Sequence, residues 1–185
     1  MKILYSDLLI IQQILLKMNQ SKFHLKAVVE QTTNNTTSWI GRRKGETKGK
    51  ISGQTFICPT EGELDSIEIF STLVTEKEPV VLSLHSFDAE NKTWGPVLET
   101  STVELTKEDS GKWISFPIGG IRLQKGNTYG FRLQSEGELI GLGEALGSYD
   151  HTLCIGGQEW LANEGDQKGN YYSYLSLAFK IDLRA

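Results

Sequence analysis

Residues 112–135 read KWISFPIGGIRLQKGNTYGFRLQS, and within this stretch two short runs place apolar side chains at every second position. Ile114, Phe116 and Ile118 share one face of an extended chain, as do Tyr129, Phe131 and Leu133 after the turn signal Lys125-Gly126-Asn127. A helix would scatter that spacing around its axis. The stretch therefore predicts a pair of half-buried strands, and the rest of the chain is read outward from it.

The same period of two governs everything beyond Lys50. Strands are expected over residues 51–58, 64–72, 80–87, 97–105, 112–118, 128–134, 139–146 and 172–181. The connections carry Gly62, Asp88, Asn91, Gly95-Pro96, Asp109-Ser110-Gly111 and Gly126-Asn127, residues that take turn geometry at little cost. No long helical pattern separates the strands, which excludes the crossover helices that a parallel sheet needs. Eight short strands at this spacing predict a mainly β protein, an antiparallel β-sandwich over residues 51–185.

The first fifty residues read differently. Leu4, Leu8, Ile11, Leu15 and Met18 are spaced four, three, four and three apart, with Leu25 and Val29 on the same register, so residues 1–30 are expected to be an amphipathic helix. Leu9, Ile10, Ile14 and Leu16 widen its apolar stripe, so it must pack on its own sandwich or on copies of itself; the second case makes residues 4–29 a homo-oligomer contact. Residues 31–50 follow as a polar and then basic linker, QTTNNTTS leading to GRRKGETKGK, with Trp39 and Ile40 as anchors.

Charge divides the chain at the same place. Residues 1–50 carry nine basic and three acidic groups, the remainder ten and twenty, so the body is acidic and no nucleic-acid partner is expected of it. Cys58 and Cys154 are too few and too far apart for a zinc site, and Cys58 reads as a buried thiol two residues from Phe56. Asp7, Gln12 and Gln13 interrupt the apolar N-terminus, which excludes a membrane span and leaves no secretory leader pattern; the expectation is a cytoplasmic chain, or an exported one lacking its leader.

The stretches Gly53-Gln54-Thr55-Phe56, residues 64–70, residues 80–87 and residues 121–133 resemble bacterial β-sandwich modules of jelly-roll topology, carbohydrate-binding-module-like and galactose-binding-like accessory domains among them. The resemblance covers roughly residues 51–181 and implies a jelly-roll-like sandwich with a ligand at its loops. It also admits a structural calcium, for which Asp65 and Asp182 could supply oxygen ligands; no other cofactor is expected.

No nucleophile elbow, phosphate loop or metal-spaced histidine motif occurs; His24, His85 and His151 lie far apart. Twenty acidic residues in the sandwich give no way to choose a catalytic pair, so the chain is read as non-catalytic. Sugar recognition fits the residues better, because sugar rings present C–H faces that stack on aromatics while acids and amides bind hydroxyls. Trp94, Trp160, Tyr171, Tyr172 and Tyr174 lie in or beside predicted loops, and Trp160, Tyr171, Asp150 and Glu144 form the expected ligand site. The competing reading is a structural or assembly protein, oligomerised by its N-terminal helix with the sandwich as head.

Overall fold

The computed structural model describes residues 25–147, 156–166 and 168–184, and every strand pairing in it is antiparallel. Two sheets stack into a β-sandwich. The first runs β1 (Leu25–Gln31), β14 (Phe179–Arg184), β4 (Gly62–Leu73), β10 (Ile140–Leu146) and β13 (Leu175–Leu177). β2 (Thr36–Ile40) adds to β10, and β7 (Lys112–Pro117) and β8 (Arg122–Leu123) add to β4. The second sheet runs β12 (Asn170–Tyr172), β11 (Glu159–Asn163), β3 (Lys50–Ile57), β9 (Thr128–Gln134), β5 (Glu78–Asp88) and β6 (Thr93–Leu105).

The strands of the opening stretch are where the alternation placed them, one in each sheet. In β9, Phe131 stands opposite Leu84 and Leu133 opposite Leu82; in β7, Ile114 stands opposite Ile69 and Phe116 opposite Ile67. These rows face each other across the sandwich, and Phe131 of the second sheet meets Phe179 of the first with ring centroids 5.5 Å apart. Phe116, Phe131 and Phe179 share one buried interior, and burial of each such ring contributes about 1.5–3 kcal/mol.

Three expectations change. Residues 25–31 form an edge strand on β14 rather than the end of a helix; a bulge between Ala27 and Val29 lets the adjacent Val28 and Val29 both reach the core. The helical reading of residues 1–24 lies outside the described residues. Thr36–Ile40 is a strand and not linker, since threonine, tryptophan and isoleucine suit a pleated surface, and Ile40 is fully buried opposite Ile140. The predicted strand 172–181 breaks into β12, β13 and β14, because the chain turns at Ser173 and Tyr174 and crosses from the second sheet to the first.

The basic run is also structured. Gly41 and Lys50 exchange backbone hydrogen bonds of 3.0 and 2.7 Å, and Arg42 and Lys48 reach Glu164 and Asp166, both at 3.0 Å. Its charge faces an acidic turn of the same fold. No helix of the described residues is long and apolar enough to cross a membrane.

Candidate functional site

Alternation along the second sheet decides which side chains face outward. Because Phe131 and Leu133 point into the core, Arg132 points away from it. Register then sets Tyr171, Trp160, Gly53 and Arg132 side by side across β12, β11, β3 and β9. Two glycines make room on this face: a Cβ on Gly130 would stand 2.7 Å from the Trp94 ring, and one on Gly53 would stand 3.3 Å from Trp160 and 3.4 Å from Trp94. The indole of Trp94 lies in the bed they leave.

The aromatics then pack on one another. Trp94 sits 5.3 Å from Trp160 and 5.3 Å from Phe87, edge to face in both cases, and Phe87 lies 5.7 Å from Tyr171. The Arg132 guanidinium lies 4.2 Å from the Trp94 centroid and 4.5 Å from that of Trp160, a cation held against two indoles. His85 fixes the strand that carries Trp94. Burial holds its pKa below the ordinary value, and the neutral ring donates through Nδ1 to the Gly95 carbonyl at 3.0 Å and accepts at Nε2 from Ser83 at 2.9 Å.

Above this floor is a cavity of about 590 Å³. Its far wall is Tyr171, whose hydroxyl donates to the Lys92 carbonyl at 3.1 Å and so ties β12 to the β5–β6 hairpin. That hairpin is itself held by Asp88, which accepts backbone hydrogen bonds from Glu90 and Asn91 at 3.0 Å each. Burial pulls the Arg132 guanidinium below its usual value and raises the Tyr171 phenol above its own, while the Trp94 N–H and the Arg132 charge pull the phenol back. The Trp94 N–H is directed at that phenol oxygen but falls short of full hydrogen-bond geometry, and no other group among the described residues accepts it.

Of the four residues expected to bind ligand, Trp160 and Tyr171 come together here as cross-strand neighbours. Trp160 is only 4% exposed, under Gly169, so it backs the cavity and Trp94 and Tyr171 front it. Asp150 lies outside the described residues. Glu144 sits elsewhere, on β10 between the sheets. There it faces Glu159, the inward neighbour of Trp160, at the foot of a second cleft of about 400 Å³.

Glu144 and Glu159 form a carboxyl pair beside Ser38, Ser52 and Thr36. Ser52 donates to Glu159 Oε1 at 3.4 Å, and Ser38 and Ser52 bond each other across the two sheets at 2.9 Å. Burial, then the charge of Glu144, pushes Glu159 up to about 9, and burial raises Glu144 as well. Glu159 Oε2 is buried without a partner until Glu159 holds a proton, which it can then donate to Glu144.

The remaining candidates are structural in their contacts. Asp65 accepts from Arg184 Nε at 2.6 Å and Asp182 from Ser66 at 3.3 Å; among the described residues no cluster of three or more His, Cys, Asp or Glu side chains could hold a metal ion. Cys58 is a buried thiol raised by that burial, its S–H donating to the Thr60 carbonyl at 2.9 Å, while Cys154 lies outside the described residues. Trp113 faces outward on the first sheet, 5.4 Å from Phe70, under the Lys180 ammonium at 4.1 Å.

Sequence reasoning missed Arg132 and took Glu159 for a solvated loop acid. The signal for Arg132 was its position as an outward-facing residue in an otherwise apolar strand, next to Gly130. Glu159 groups in the sequence with Glu144 and Asp150 near the strand exit at Leu146, but its burial could not be read there, since β11 falls in what reads as a glycine-rich loop.

No protein-family model matches this chain, and no curated protein does. A solved structure is similar to it: the cysteine protease and lectin-like domains of Cwp84, a surface layer associated protein of Clostridium difficile, with a TM-score of 0.49 and 12% identity. The likeness covers 83% of this chain and 37% of that one, so the chain spans little more than a third of that structure's length.

Proposed function

We propose that this chain is a non-catalytic β-sandwich module that binds carbohydrate in the aromatic cavity on the outer face of its second sheet. One observation carries the reading: a hollow of about 590 Å³ is fronted by Trp94 and Tyr171, with the donors of Asn91, Arg132 and Lys168 around it. That volume lies within the range of about 300–1,000 Å³ found for small-molecule sites. Indole and phenol faces suit the C–H faces of a sugar ring, and the surrounding donors suit its hydroxyls. Trp94 is held by strand pairing and by the His85–Gly95 bond, so the platform needs little ordering when ligand arrives.

The test is a glycan array probed with the full chain, followed by tryptophan fluorescence titration of any glycan retained. Tyr171→Ala should weaken binding about tenfold or more, a loss of about 1.4 kcal/mol, with the melting transition still cooperative. A chain that retains no glycan, or a Tyr171→Ala variant that binds like wild type, ends this reading.

A further inference from the structure

The cavity holds a positive charge that the fold leaves unanswered. Arg42, Arg122 and Arg184 each reach a carboxylate, at 3.0 Å to Glu164, 2.9 Å to Glu61 and 2.6 Å to Asp65, and Arg43 is exposed. Arg132 is half-buried against two indoles, yet among the described residues no carboxylate pairs with it, and its Nε is buried without an acceptor. An arginine carries five N–H donors and keeps its charge at any ordinary pH. The two indoles, inclined at 66°, hold the guanidinium carbon 4.2 and 4.5 Å from their centroids, and the donors at the cavity-lining end of the side chain are the place for an acceptor.

The rest of the hollow has the same sign. Lys92 and Lys168 line it, and neither has an ion pair among the described residues. Among the described residues one acid lies on the rim, Asp166, and it is already engaged by Lys48 at 3.0 Å and by the Asn163 amide at 3.1 Å. Three cations therefore converge on a space with aromatic walls.

We propose that this site selects sugars bearing an oxyanion, a carboxylate or a sulfate, and that Arg132 receives that group while Lys92 and Lys168 steer it in. The proposal rests on the sugar-binding reading above and names its substrate class. A guanidinium edge takes two oxygens of one oxyanion at once, which fixes the ring against Trp94 and Tyr171. The chain beyond Lys50 carries twenty acidic against ten basic groups, so a long polyanion meets repulsion outside the hollow while a single charged sugar does not.

The experiment compares neutral, uronic-acid, sialylated and sulfated glycans on one array with the full chain. Those retained are then titrated against wild type, Arg132→Met, Lys92→Ala and Lys168→Ala, following tryptophan fluorescence and the arginine Nε–H resonances. The expected result is at least tenfold preference for charged over neutral partners, weakened by added salt and abolished in Arg132→Met. Each lysine variant should lose two- to fivefold; both residues are exposed, so their folding is not at risk and they test the charge independently. The ratio of carboxylated to sulfated binders tells the two oxyanions apart. Equal binding of neutral and charged glycans, kept in all three variants, overturns the charge selectivity and leaves the sugar reading standing. Retention of no glycan overturns both.

Discussion

The two outer faces of the sandwich carry the same device, a cation laid against tryptophan, completed in opposite ways. On the first sheet Lys180 lies 4.1 Å over Trp113 and also bonds Glu68 at 2.9 Å, its cross-strand neighbour. On the second sheet Arg132 lies 4.2 Å over Trp94 with a second indole beside it and no carboxylate among the described residues. The first arrangement is closed, since the acid that neutralises the lysine is supplied by the next strand. The second is open, since no acid among the described residues neutralises the arginine. The glutamate pair between the sheets is a third solution, in which the counter-charge is a proton.

The largest way to break the comparison is to remove the bed under Trp94. Gly130→Ala places a methyl where the indole now lies, 2.7 Å away, with the Gln54 carbonyl 3.1 Å on the other side. Overpacking of this kind costs about 1–3 kcal/mol, and each 1 kcal/mol lowers the melting temperature by about 2–4 °C in a chain of this length. Calorimetry should show that loss together with a shift of the Arg132 Nε–H resonance as its stack comes apart. An unchanged melt and resonance would mean that Trp94 does not rest on the strand.

Titration of the glutamate pair sharpens the comparison next. Glu159 is raised in the fold, so the folded chain keeps a proton that the unfolded chain releases near pH 4.5. The unfolded state therefore binds fewer protons between that pH and about 9, and stability falls as pH rises through the window. Glu159→Gln keeps a donor toward Glu144 and removes the titration. It should be more stable than wild type by about 1–2 kcal/mol at mildly alkaline pH, with little difference below pH 4.5. Parallel melting curves of the two proteins across that range would exclude the shared proton.

The smallest effect separates the two cations directly. Lys180→Met strands Glu68 in a half-buried ion pair and should cost about 0.5–1 kcal/mol in urea unfolding. Arg132→Met strands no acid and keeps a side chain that packs on both indoles, so its stability should stay within about 0.5 kcal/mol of wild type. A larger loss for Arg132 than for Lys180 would make the second stack a structural element like the first.

Alternation was enough to read the inner faces. Tyr129, Phe131 and Leu133 declare one buried side of β9, and Ile114 and Phe116 declare that of β7, because burial selects apolar side chains at every second position. The outer faces are less legible, since solvent tolerates most residues there and Arg132 is one polar residue among many. Only register, which brings Gly53 beside Arg132 and Trp160 beside Tyr171, turns scattered aromatics into a wall. Leu25 and Val29 show a different failure: they fit a seven-residue repeat and a strand equally well, and the open edge of β14 decided between them. The net acidity beyond Lys50 likewise averaged over a hollow whose own charge is positive, because composition sums what geometry separates.

Trp94 and Trp160 stand 5.3 Å apart with their planes inclined at 66°. Two chromophores so close and so fixed share their excited states, and the coupled transitions rotate light with a signature that neither has alone. The chain thus carries its own optical gauge: a circular dichroism couplet from this pair would fade when the pocket loosens while the peptide bands of the surrounding strands stayed in place.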